Sequence, residues 1–138
     1  MKIKRFVCII LTLSVLLLAG CEGATFSITG VGNKTTVEVN NAEDGDLSET
    51  QHFSVGKNRN AKIDSSLDKG MLQIDFVEVT VYSHNDSSED VIPGDIVLSV
   101  KVGPDESQDL PLDAGDYILQ LTAIGDTNGT VVIDIVKN

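Results

Sequence analysis

The side chains able to do chemistry near neutral pH are few in this sequence. Two histidines, His52 and His84, are the only imidazoles, and two cysteines, Cys8 and Cys21, are the only thiols. Acid–base or nucleophilic catalysis needs a base within hydrogen-bond reach of a nucleophile and a third group to orient it. His52 stands beside Phe53 in a stretch with strand alternation, His84 opens a polar loop, and no Gly-x-Ser-x-Gly elbow accompanies either. Both histidines therefore read as solvated surface groups, and no catalytic residue is assigned. Two histidines and no mature thiolate are too few for a zinc centre. Carboxylates are abundant, in Glu43-Asp44-Gly45-Asp46, Asp86 to Asp90 and Asp105-Glu106. These are hard oxygen donors of the kind calcium uses, but none follows a spaced Asp-x-Asp-x-Asp-Gly loop with a distal Glu. Their expected effect is diffuse charge rather than a metal site, and no cofactor is expected.

The charge is distributed unevenly. The chain has 138 residues with 10 basic and 21 acidic side chains, a formal charge of −11. Three of the bases, Lys2, Lys4 and Arg5, lie in the first twenty residues and none of the acids does. The remainder is thus more acidic than the whole. Such a surface repels phosphate backbones, so nucleic-acid binding is excluded.

Residues 1–20 have the parts of a helical secretory signal: a basic start, an apolar run from Phe6 to Ala19, and small residues before a cut site. At 14 residues the run is shorter than the ~20 a bilayer crossing needs. Leu18-Ala19-Gly20-Cys21 resembles the lipobox of bacterial lipoproteins. The resemblance implies cleavage before Cys21 and acylation of its thiol, which anchors the mature chain to the outer face of a bacterial membrane. Two acyl chains suffice for stable attachment, where one does not. Cys8 would leave with the signal and Cys21 would be consumed by lipid, so the mature domain has no disulfide or free thiol.

The elements that follow a short tether at 21–25 are strands. Val and Ile outnumber Leu, apolar positions alternate in short runs, and Gly, Asn, Asp and Ser punctuate them. Phe26 and Ile28 before Gly32-Asn33, with Val37 and Val39 after it, predict a first hairpin. Leu72, Ile74 and Phe76 keep one phase, whereas Val77, Val79 and Val81 keep the other, which predicts a bulge or bend. An acidic, breaker-rich loop is expected from Ser83 to Gly94, then an alternating strand through Ile96, Leu98, Val100 and Val102. Tyr117, Leu119, Leu121 and Ala123 are expected to turn at Gly125 to Gly129 and pair with Val131, Ile133 and Ile135. The whole reads as one all-β domain, residues 26–138, of eight or nine strands in a two-sheet antiparallel β-sandwich of jelly-roll type.

Gln51-His52-Phe53-Ser54-Val55-Gly56, Met71 to Asp75, Ala114-Gly115-Asp116-Tyr117 and Asn128-Gly129-Thr130-Val131 resemble the pre-peptidase C-terminal domains of bacterial secreted enzymes over residues 47–136. The resemblance implies a sandwich accessory to other proteins. In this chain Ser65 to Gly70 replaces the aspartate-rich run found in some of those domains. The functional expectation is a non-catalytic surface binding or accessory module, held to the membrane by its lipid and meeting a protein or glycan ligand. The alternatives are a small surface hydrolase or enzyme inhibitor without a motif, and a structural spacer.

Overall fold

A computed structural model describes residues 25–85 and 88–138. Cys21 and the expected signal segment lie outside the described residues. Among those described there are eight strands and no helix: β1 (Phe26–Val31), β2 (Lys34–Ala42), β3 (Leu47–Glu49), β4 (Phe53–Val55), β5 (Arg59–Ser83), β6 (Glu89–Val102), β7 (Ser107–Leu112) and β8 (Gly115–Lys137). Every pairing is antiparallel, and hydrogen bonds join all eight into one sheet.

Two long strands organise it. β5 and β8 run side by side from Arg59↔Lys137 to Glu78↔Tyr117. The outer edge of β5 carries β7 beside its first residues and β6 beside its last. The outer edge of β8 carries β4 and β3 beside its first half and β2 beside its second, with β1 beyond β2. The expected terminal hairpin is thus corrected. Residues Gly125 to Gly129 do not reverse the chain, and Val131 and Ile133 pair with Ser65 and Ile63 of β5 rather than with Tyr117 to Ala123.

Gly125 and Gly129 do adopt positive φ, of 71° and 132°, as does Gly70 opposite them at 79°. They bend both long strands at one level, where the β5–β8 register shifts between Leu67 and Met71. A Cβ on Gly70 would fall on Thr127 Oγ1 and the Asp126 carbonyl, and one on Gly129 would lie 2.5 Å from Leu67 Cα. Thr127 is fully buried in this bend, its hydroxyl within reach of the carbonyls of Gly125 (3.0 Å) and Met71 (3.1 Å). Residues from both sides of the bend share one apolar core: Ile63, Leu67, Val131 and Ile133 from one half, Leu72, Ile74, Phe76, Leu119 and Leu121 from the other. The sheet is therefore folded over on its own inner face.

The first hairpin and the phase switch are found as expected. Phe26 pairs with Val39 and Ile28 with Val37 around Gly32, whose φ of 60° suits the first central position of a tight two-residue turn. The β5–β6 register shifts at Phe76/Val77 and again before Val79, and Val77, Val79 and Ile118 form a second small cluster with Val81. The expected Ser83 to Gly94 loop is shorter, because β6 already begins at Glu89. Pro93 is tolerated there because β6 is an edge strand, where a missing N–H costs no ladder bond. The expected burial along β6 holds for Val102 but fails at Ile96, which is 54% exposed. Ile96 lies opposite Val77, beyond the phase switch, and so leaves the main core.

Tyr117 closes the core at the start of β8. Its hydroxyl donates to the Asp113 carbonyl at 2.7 Å, and its ring lies 6.2 Å from Phe53 and 6.5 Å, edge-on, from Phe76. Burial, reinforced by the Asp113 and Glu78 carboxylates, holds its phenol above the ordinary value of 10.0. The folded state thus keeps this proton more tightly than the unfolded chain, so stability is lost as pH rises above 10. In urea titrations at stepped alkaline pH, Tyr117→Phe should flatten part of that decline. At neutral pH it should cost about 1 kcal/mol for the lost hydrogen bond. An unchanged alkaline slope would place the titrating group elsewhere.

Candidate functional site

The ends of the folded sheet away from the bend enclose a cavity of about 300 Å³. One wall is the β1–β2 hairpin near its turn, the other the link from β3 to β4. Thr50 fixes that link: its N–H donates to the Leu119 carbonyl and its hydroxyl oxygen accepts from Leu119 N–H, both at 3.0 Å. The link thereby follows β8 beyond β3 and delivers His52 and Phe53 to the cavity. Ser54 is held in turn by donating to Asp116 at 2.5 Å.

The floor is apolar, made of Ile28, Leu119, Ile133 and Ile135 with the side of Phe53. The rim carries Asn33, Thr35, Thr50, Gln51, His52 and Ser54. Among the described residues no Asp, Glu, Lys or Arg lines it, in a chain that has 31 such residues in all. Uncharged hydrogen-bonding groups over an apolar floor are suited to holding a ligand.

The histidines are placed unexpectedly close to one element. His52 Nε2 lies 3.5 Å from Glu89 Oε1, and His84 Nε2 lies 2.7 Å from Asp90 Oδ2. Glu89 and Asp90 are consecutive residues of β6, whose side chains point to opposite faces, so the two imidazoles are separated by the strand. Among the described residues each ring meets a carboxylate rather than a hydroxyl. Sequence spacing carried no signal for the first pair, since 37 residues separate His52 from Glu89.

The acidic runs are distributed as structural turns. Asp46, buried, accepts from the Glu43 N–H at 3.0 Å, and Asp44 accepts from the Gly125 N–H at 2.8 Å. These bonds dock the β2–β3 turn onto the bend of β8. Asp105 makes the β6–β7 turn at a φ of 53°. Asp86 lies outside the described residues. Among the described residues no three or more His, Cys, Asp or Glu side chains are grouped so as to hold one metal ion, and no helix is long and apolar enough to cross a membrane.

No protein-family model matches this chain, and no curated protein matches it. Among solved structures it is similar to the capsular polysaccharide assembling protein CapF from Staphylococcus aureus, with 15% identity and a TM-score of 0.31. That likeness covers 82% of this chain and 31% of CapF, so the chain spans about a third of that protein's length. It is also similar to the Drosophila melanogaster CENP-C cupin domain, with 10% identity and a TM-score of 0.32 over 91% of this chain and 96% of that one. Scores this low carry no functional weight.

Proposed function

We propose that this chain is a lipid-anchored, non-catalytic binding module on the outer face of a bacterial membrane, its folded sheet acting as a two-layer, jelly-roll-like sandwich. The observation that carries the reading is the position of the cavity relative to the anchor. Thr25, the first described residue, lies beside the bend: its carbonyl accepts from Asn40 N–H at 2.8 Å, and the neighbouring Val39 pairs with Gly129. The cavity lies at the opposite end of β1. From Phe26 to Val31 the strand covers about 17 Å at ~3.4 Å per residue. With Cys21 in lipid and only a short tether between, the bent end faces the membrane and the cavity faces outward. Glu43, Asp44, Asp68 and Asp126 lie at or beside the membrane-facing bend and would keep the domain off anionic headgroups.

Metabolic labelling with a palmitate analogue tests the anchor. The native chain should be labelled and partition into detergent, and Cys21→Ser should abolish both. A second arm tests the orientation: Val31→Cys, at a site 73% exposed beside the cavity, should react with a membrane-impermeant maleimide on spheroplasts. Recovery of the native chain unlabelled in the soluble fraction would overturn the lipoprotein reading, and protection of the Val31→Cys thiol would overturn the outward cavity.

A further inference from the structure

Among the described residues β1 is an edge strand whose only partner is β2. Thr25 and Asn40 continue their register with a hydrogen bond from Asn40 N–H to Thr25 O. Hydrogen-bonded and non-bonded pairs alternate along an antiparallel ladder, so the main chains of Ser27, Thr29 and Val31 also face β2. Those of Phe26, Ile28 and Gly30 face the other way. Ile28 and Gly30 line the cavity, and among the described residues neither has a main-chain partner on that side. Ile28 is only 5% exposed. Its outward amide and carbonyl are thus largely removed from bulk water, a situation proteins almost always resolve by pairing.

We infer that the cavity takes an extended, uncharged stretch of a partner polypeptide, which adds to β1 as a further strand. The inference rests on the binding-module reading above and names its ligand. Ile28 and Gly30 offer main-chain groups at a two-residue spacing, the repeat at which a strand presents its own. A sugar ring has no such repeat, and Phe53, among the described residues the only Phe, Tyr or Trp in the lining, already packs against Tyr117. Alternate side chains of the added strand would point into the space between the β1 edge and the β3–β4 link, toward Phe53. An acidic residue there would meet the field of a strongly negative protein. A lysine would be desolvated over the apolar floor, and the carboxylates nearest the rim, Glu89 and Asp116, are already engaged by His52 and Ser54. Gly30 leaves the path open, since a Cβ there would meet nothing within 4 Å.

The probe is an acetylated and amidated Thr-Val-Thr-Val-Thr peptide, titrated into the mature chain while amide hydrogen exchange and ¹⁵N shifts are followed. We expect saturable binding near the millimolar range, with exchange at Ile28 and Gly30 slowed at least about tenfold at saturation. The same peptide methylated on alternate backbone nitrogens, or with Asp or Lys in place of Val, should not bind. Gly30→Phe should abolish binding and leave the melting temperature unchanged. The inference fails if the methylated peptide binds equally well, or if the native peptide gives no saturable shift up to about 10 mM. Saturable shifts from glucose with none from the peptide would keep the cavity as a ligand site but overturn the strand-acceptor assignment. Lipid labelling is independent of all these outcomes.

Discussion

Gly129→Ala should destabilise the domain by about 3–5 kcal/mol, read as the midpoint shift in urea unfolding. Two costs combine. The φ of 132° lies where an L side chain is strained, which costs on the order of 1–3 kcal/mol. The added Cβ would also stand 2.5 Å from Leu67 Cα and 2.7 Å from the Ser66 carbonyl, both main-chain atoms of β5 that cannot rotate away. Relief requires the two long strands to separate at their bend, which is where the two halves of the core are joined. Gly125→Ala is the matched control: its φ of 71° is also left-handed, but a Cβ there meets nothing within 4 Å. It should cost only about 1–2 kcal/mol. If the two variants lose equal stability, β5 and β8 do not approach as closely as described.

Phe76→Ala should cost a further large amount, about 3–5 kcal/mol. The ring is fully buried and meets Tyr117 edge-on at 6.5 Å, so truncation opens a cavity and removes an aromatic pair together. Phe76 is also the last residue of β5 to face the main core before the phase switch, and no neighbour on the next inward position can move in to fill the space. Val97→Ala on the adjacent edge strand, 48% exposed, should change stability by less than about 0.5 kcal/mol. A loss below about 1 kcal/mol for Phe76→Ala would mean that the core is not packed as described.

Local features of this fold were legible in the sequence where one short stretch determines them. Gly32-Asn33 specifies a tight turn through its own backbone preferences, and alternation on either side fixes the register of β1 on β2. The switch at Phe76-Val77 is visible because a bulge shifts side-chain phase by one residue, which apolar spacing records directly. The path of β8 was not legible. Gly125 and Gly129 announce left-handed backbone, but that conformation serves a reversal and a bend equally well. The choice is made by residues 61–67 of β5, which outcompete 117–123 for the edge of 129–135. The cavity was hidden for the same reason: Ile28 comes from β1, Thr50 from the β3–β4 link, and Leu119 and Ile133 from distant stretches of β8. His52 was noticed as a residue type, but its contact with Glu89 depends on how the β5–β6 hairpin is carried toward β4.

The continuous β5–β8 pairing also determines how this chain must find its fold. Its nearest partners, Glu78 and Tyr117, are 39 residues apart, and its most distant, Arg59 and Lys137, are 78 apart. No tight turn closes this ladder, so loop entropy is lost before its hydrogen bonds form. The β1–β2 and β5–β6 hairpins can form locally and early, but the central zipper must wait for a long-range encounter. Folding in the millisecond-to-second range is expected for such a topology. During that interval the edges of β5 and β8 stand open side by side with every other unfolded copy, so the kinetic hazard of this architecture is strand exchange between chains at its own central seam.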